Sequence, residues 1–247
     1  GWQLAPQGRP ELAERESRLA LAEDPYDADT HALLALVLAG QESRRAEALA
    51  EAREAVGLAP DEPFPHYAEA VVHIEAERWD DAQRAAEQAI RIDSDDPGHY
   101  TVLAAAHLGR RRWREALDAA DDALAIDPAH TGAANLRASA LVHLGRKDEA
   151  GAALQGALAR DPENSYTHAN QGWALLHRGD RKAALGHFRE SLRLDPESEW
   201  AREGLVEALK AGNPLYAGML RYFLWMNRLP ARTRWMVLLG GWLGYRI

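Results

Sequence analysis

Apolar residues recur three and four positions apart along most of this chain, in stretches separated by short polar turns. In RWREALDAADDALAID, Ala116, Leu117, Ala120, Ala123 and Leu124 fall on one helical stripe. The preceding stretch, HYTVLAAAHLG, is helix-forming and reaches Gly109, a suitable C-terminal stop. Asp127-Pro128 ends the second stretch, because proline disfavours helix in the residue before it. NLRASALVHLG…DEAGAALQGALARDP and HANQGWALLHRGD…KAALGHFRESLRLDP repeat the arrangement of helix, turn, helix, turn. The pattern predicts an all-α protein.

The arrangement has a fixed length. The segments LALAEDP, AVGLAP, AIRIDS, ALAIDP, ALARDP and SLRLDP end at Pro25, Pro60, Ser94, Pro128, Pro162 and Pro196, in steps of 35, 34, 34, 34 and 34. Small residues recur at matching places: Ala70, Ala104, Ala138 and Gly172 in the first helices, Ala82, Ala116, Ala150 and Ala184 in the second. They let antiparallel helices approach to the short end of the usual spacing of about 8–10 Å. Trp79, Trp113 and Phe188 are expected to fill the gaps between them. One such pair cannot bury its own apolar face, so stacked pairs should share a continuous core.

This pattern resembles the tetratricopeptide repeat family, with the best match over residues 165–198 through Gly172, Ala184, Phe188 and Pro196. There His168 takes the usual Trp slot and Leu175 the Tyr slot; elsewhere His66 and Tyr100 replace Trp, and His73 and His107 occupy the second aromatic slot. The resemblance covers about residues 1–198 and implies a right-handed superhelical solenoid of antiparallel helix pairs with a concave groove. On this reading residues 1–25 are a partial repeat entered midway through its first helix, and 26–198 are five repeats. EWAREGLVEALKAG, with no following Pro, then supplies a covering helix over 199–211. Repeat geometry turns Tyr67, Val71, Thr101, Ala105, Asn135, Ser139, Tyr166, Asn170, Trp173 and His177 toward the groove. Some family members clamp a peptide's terminal carboxylate there with Lys, Arg and Asn. This chain has almost no Lys or Arg at those places, so that clamp does not transfer. What remains is aromatic and amide: Asn side chains either bond an extended peptide's backbone or bond neighbouring helices, and Trp and Tyr supply anchoring area.

Composition narrows the chemistry. The absence of cysteine removes disulfides, thiol nucleophiles and thiolate metal sites. Ten histidines are present, but His66 and His73 are seven apart, no HExxH pair occurs, and most of the others sit in packing slots. Gly-rich phosphate loops are lacking, since LLGGWLG has no adjoining Lys and Ser/Thr. Asp80–Asp81 and Asp121–Asp122 read as solvated faces of second helices. No cofactor and no enzymatic activity are expected; the expected role is an interaction scaffold. Residues 1–209 hold 23 basic and all 38 acidic residues, which argues against a nucleic-acid partner.

The last segment differs. Residues 210–247 contain six Lys/Arg, no Asp or Glu, and seven aromatic residues. PLYAGMLRYFLWMNRL is apolar nearly all round, and WMVLLGGWLGY is eleven residues without charge, against the twenty or so that a spanning helix needs. Residues 212–247 are therefore expected to dock at a membrane surface or a membrane protein. Arg221, Arg228, Arg232 and Arg234 would turn to headgroups, with Tyr222, Phe223, Trp225, Trp235, Trp242 and Tyr245 in the interfacial belt. WMVLLGGWLGY could instead be the first half of a longer membrane helix. The alternative is a soluble peptide-binding adaptor whose C-terminal helices form a cap or a homo-oligomer seam. The ending is similar to bacterial repeat proteins with membrane-embedded C-terminal helices. GWQLAPQGRP lacks the charged start and apolar segment of a signal peptide and has no initiator Met, so the chain is expected to be processed or to begin inside a longer protein. With the Arg cluster on its N-terminal side, the repeats are expected to lie on the cytoplasmic face of a bacterial membrane.

Overall fold

The computed structural model describes residues 10–211, and among these all regular structure is helical. The helices are α1 (Pro10–Glu23), α2 (Ala28–Ala39), α3 (Arg45–Leu58), α4 (Pro63–Glu75), α5 (Trp79–Ile92) and α6 (Pro97–Gly109). They continue as α7 (Trp113–Ile126), α8 (Thr131–His143), α9 (Lys147–Arg160), α10 (Ser165–His177), α11 (Arg181–Leu194) and α12 (Glu199–Ala211). A 3-10 turn at Glu42–Arg44 accounts for the single longer step of the repeat, since it lengthens the connection from α2 to α3.

The turns explain why Asp and Pro recur. Asp24, Asp93, Asp127 and Asp195 each accept, through Oδ1, the backbone N–H two residues on, at 2.9–3.1 Å. This local bond holds the chain in a tight turn once the second helix has ended. The next helix starts at a proline in α4 and α6, where the missing N–H costs nothing. Elsewhere a side chain caps it: Asp27 for α2, His130 for α8 and Asn164 for α10.

In the four pairs from α4–α5 to α10–α11 the turn is left-handed at one residue: Glu77 (φ 56°), Arg111 (φ 58°), Gly145 (φ 79°) and Gly179 (φ 89°). The residue after it donates its N–H back into the helix, Arg78 to His73 O at 2.8 Å and Arg112 to His107 O at 2.9 Å, with Arg146 and Asp180 doing the same. Two repeats use glycine at no steric cost; Glu77 and Arg111 accept a cost of about 1 kcal/mol or more.

The small residues behave as their spacing requires. Ala70, Ala82, Ala104, Ala116, Ala138, Ala150 and Ala184 are wholly buried, and Gly172 is buried with them. Large side chains close the gaps where they were expected: a Cβ on Gly109 would lie 2.4 Å from the Trp79 ring, and Phe188 is the largest fully buried side chain among the described residues. Each first helix also packs on the first helix of the next pair, from α2 through α4, α6, α8 and α10 to α12, whereas the second helices contact mainly their chain neighbours. First helices therefore line the inside of the stack. No helix among the described residues is long and apolar enough to cross a membrane.

Candidate functional site

The inner face divides into a filled half and an open half. In the first half, Tyr67 lies between Phe64 (ring centroids 6.3 Å apart) and His99 (5.9 Å), with its ring 3.6 Å from where a Cβ on Gly98 would be. Burial pushes its phenol up to about 12. Val71 and Ala105 are each 6 % exposed and belong to the core, and Thr101 donates its hydroxyl to Pro97 O at 2.7 Å. These four expected groove residues form the floor and leave little side chain to offer a ligand.

In the second half the amides are used by the protein itself. Asn135, 2 % exposed, donates Nδ2–H to Thr167 Oγ1 at 2.9 Å and accepts on Oδ1 from Asn170 Nδ2 at 3.2 Å. Asn170, 8 % exposed, accepts from Trp200 Nε1 at 2.9 Å and also bonds the Tyr166 hydroxyl. Thr167 in turn bonds Asn164 Oδ1 at 2.9 Å. The chain Asn164–Thr167–Asn135–Asn170–Trp200 thus ties α8, α10 and α12 together. Of the two readings left open for the amides, the structure places them between helices.

What the open half presents is aromatic. Tyr166 is 38 % exposed and Trp200 43 %, while His177 is exposed and Trp173 and Ser139 are half-buried. Trp173 packs edge-on against Phe188 (5.7 Å), beside Trp200 (4.8 Å) and over His177 (6.0 Å), and donates Nε1–H to Trp200 O at 3.3 Å. Next to it is a cavity of about 470 Å³ lined by Trp173, Arg202, Glu203, Val206, Glu207 and Lys210. Phe64 and Trp200 were absent from the expected set. Trp200 was recoverable from spacing alone, since it lies 34 residues after Tyr166.

The histidines have local partners. One ring nitrogen of each of His31, His66, His99 and His168 bonds the carbonyl six residues earlier, in Pro25, Pro60, Asp93 and Pro162, at 3.1, 2.8, 3.0 and 3.0 Å. A carbonyl only accepts, so that nitrogen carries the proton. Arg202 does the same to Pro196 O at 2.8 Å. The device fixes each first helix to the turn before it. His99 supplies it where the pattern pointed to Tyr100, one position later. With Nε2–H committed to Pro162, neutral His168 has a lone pair on Nδ1 and accepts from His187 Nδ1–H at 3.0 Å. Burial, then the neighbouring His168, holds the His187 pKa below the usual histidine value. His143 stacks on Trp113 with centroids 4.0 Å apart. Among the described residues, no cluster of three or more His, Asp or Glu is arranged to hold a metal. Arg221, Tyr222, Phe223, Trp225, Arg228, Arg232, Arg234, Trp235, Trp242 and Tyr245 lie outside the described residues.

Comparison with known proteins agrees with this geometry. No curated protein sequence matches the chain. Among solved structures, the chain is similar to YrrB, described as "a TPR protein with an unusual peptide-binding site", at 20 % identity and TM-score 0.51, over 77 % of this chain and 97 % of that one. It is similar to TTC0263, a thermophilic TPR protein of Thermus thermophilus, at 19 % identity and TM-score 0.62, over 81 % and 98 %. It also resembles the APC/C hetero-tetramer Cut9–Hcn1 at 19 % identity and TM-score 0.70, over 81 % of this chain and 40 % of that one. These likenesses concern the fold. The family model for the tetratricopeptide repeat matches residues 67–131, 101–165 and 135–199, together more than half of the sequence, and the chain belongs to that family.

Proposed function

We propose that this protein is a non-enzymatic scaffold that holds an extended segment of a partner protein on the aromatic half of its inner face. The observation that carries the proposal is the cluster Tyr166, Trp173, His177 and Trp200 beside an open cavity, on a face whose amides are already spent. Rigid aromatic side chains held by packing offer large contact area at low entropy cost, which is how binding hot spots are built. Recognition therefore rests on apolar anchors of the partner, with Arg202, Glu203, Glu207 and Lys210 at the rim setting charge preference. The peptide-binding site ascribed to YrrB is in keeping with such use of the fold.

The basic, aromatic residues 212–247 extend the proposal: they would bring the scaffold to the cytoplasmic face of a bacterial membrane or to a membrane protein. A second reading, a soluble adaptor whose C-terminal segment forms a cap or an oligomer seam, is favoured by the exposed apolar side chains Val206 and Leu209 on α12. The groove is tested by replacing Trp173 and Tyr166 with Ala and measuring affinity for a partner recovered from detergent extract with the full chain. Binding should weaken by at least about 2 kcal/mol with helicity retained. Undiminished affinity would move the binding surface elsewhere.

A further inference from the structure

Consecutive helices run antiparallel, so the connections within pairs gather along one edge of the stack and those between pairs along the other. The two edges differ in charge. The six connections between pairs, 24–27, 59–62, 93–96, 127–130, 161–164 and 195–198, hold twelve Asp/Glu and no Lys or Arg. The five within pairs, 40–44, 76–78, 110–112, 144–146 and 178–180, hold seven Arg and three Asp/Glu. Several of the acids have a local task, since Asp24, Asp93, Asp127 and Asp195 close their turns.

On the basic edge the principal cations have no such task. Arg111, Arg112, Arg181 and Lys182 are exposed, and none has an ion-pair partner among the described residues. Arg110, Arg146 and Arg178 are paired, with Asp80, Glu149 and Asp148. Arg111 holds φ 58° where Gly145 and Gly179 stand in the next two pairs, so strain that glycine would relieve keeps a cation at the tip of the turn. Contacts join the three turns into one row: Trp113 stacks on His143 at 4.0 Å, and Lys147 donates Nζ–H to His177 O at 3.0 Å. Burial, then the neighbouring His177 and Arg111, holds the His143 pKa below the ordinary value; burial, then Lys147, does the same to His177. No carboxylate is among the groups acting on either ring.

We infer that the edge formed by the α6–α7, α8–α9 and α10–α11 turns is the face that this protein lays on an anionic lipid surface, with the acidic edge turned away. This orientation rests on the reading of residues 212–247 as a membrane-docking segment and names the side of the repeats that meets the lipid. Three observations favour lipid over an acidic protein segment. The cations stand at the tips of successive turns rather than around one point, which suits a broad anionic surface. The α12 helix runs parallel to the other first helices, so Ala211 lies at this same edge, and the 36 residues that follow it hold five Arg and no Asp or Glu. The net charge of −9 does not prevent approach, because the acidic edge is a helix length away. Helices of 13 and 14 residues span about 20 Å. That is more than two Debye lengths at physiological salt, where screening acts over about 8 Å. At contact the near edge dominates.

The test is co-sedimentation of the full chain with vesicles of phosphatidylglycerol and phosphatidylcholine at about 0.15 M salt. Arg111→Gly, Arg112→Gln, Arg181→Gln and Lys182→Gln together should weaken binding at least about tenfold, since each charge near an anionic surface contributes a factor of up to about five. Helicity should be retained, because these side chains hold no partner and glycine suits the turn at 111. The control removes as much charge from exposed arginines on the helix faces, as Arg15→Gln, Arg53→Gln, Arg84→Gln and Arg189→Gln, and should change binding less than about twofold. Equal losses in the two variants would mean that net charge alone matters and overturn the inference. Binding that ignores the edge but is lost with Arg228→Gln, Arg232→Gln and Arg234→Gln overturns it too, while leaving the membrane reading of the C-terminal segment intact. No vesicle binding by the unsubstituted chain overturns both. An edge variant that binds vesicles fully but loses a protein cross-linked to the unsubstituted chain would assign the edge to an acidic protein instead.

Discussion

Phe188 is held between two glycines, and that arrangement predicts an unusual pair of substitutions. Its ring is fully buried; a Cβ on Gly172 would lie 2.6 Å from it, and a Cβ on Gly204 only 2.2 Å. Trp173 closes the ring's remaining side edge-on at 5.7 Å, so the ring has no free direction in which to move. Gly204→Ala therefore combines two opposed effects. Alanine in a helix interior gains about 1 kcal/mol over glycine. Overpacking a closed site costs about 1–3 kcal/mol. The net expectation is a loss of about 1 kcal/mol. Shrinking the ring with Phe188→Leu destabilises by itself but removes the clash, so Gly204→Ala in that background should be neutral or favourable. The coupling between the two sites should reach about 1–2 kcal/mol. At Gly186, in the same α11, no atom lies within 4 Å of where a Cβ would sit, so Gly186→Ala should stabilise by about 0.5–1 kcal/mol in either background. Native-state hydrogen exchange of α11 and α12 suits the measurement, since stacked repeats open locally as well as globally. If Gly204→Ala raises protection equally with Phe188 and with Leu, the ring does not fill that space and the packing argument fails.

Acidification should act in opposite directions at the two ends of the stack. Burial holds the pKa of His107 low, and burial with His168 does the same to His187. Their contribution is complete above the ordinary histidine value of about 6.5 and drains away as pH falls below it. Burial is the largest influence on His31 and opposes its charge, but the bonds to Glu51 and Pro25 O together with the charges of Glu51 and Glu54 outweigh it and raise the pKa; that contribution is complete below the ordinary value and lost as pH rises through the raised one. Exchange at pH 5.5 against 7.5 should then show α2 and α3 gaining relative to α6 through α11, and a uniform change would contradict this. His66→Phe keeps the volume but deletes the 2.8 Å bond to Pro60 O, which should lower local stability by about 1 kcal/mol in exchange at α3 and α4. For the C-terminal segment, Arg228→Gln, Arg232→Gln and Arg234→Gln together should weaken association with anionic vesicles by roughly 1 kcal/mol per charge, and high salt should reproduce the effect. Binding indifferent to both would point to apolar insertion or a protein partner.

The helices and their small-residue contacts were legible because both follow from spacing. Asp-Pro ends a helix wherever it stands, and alanine at Ala104 or Ala138 permits close approach whatever else surrounds it. The amide network was not legible in the same way. Asn135 and Asn170 are 35 residues apart, one more than the period, so they do not occupy equivalent positions; they meet because α8 and α10 pack closely. Trp200 lies one period after Tyr166, but its bond to Asn170 depends on how α12 packs on α10, which spacing does not specify. The carbonyl-binding slot shows the same limit, since His99 reaches Asp93 O from one position before the expected residue, using its other ring nitrogen.

The central claim is that a partner occupies the aromatic inner face. The most direct measurement replaces His177, exposed on that face, or Asp122, exposed on second helix α7, with a photoreactive residue in the full chain and irradiates it in cells. Position 177 should give an adduct of one defined mass that disappears when Trp173→Ala and Tyr166→Ala are added, and position 122 should give none. Adducts from 122 alone, or a 177 adduct indifferent to the two aromatic substitutions, would contradict the claim.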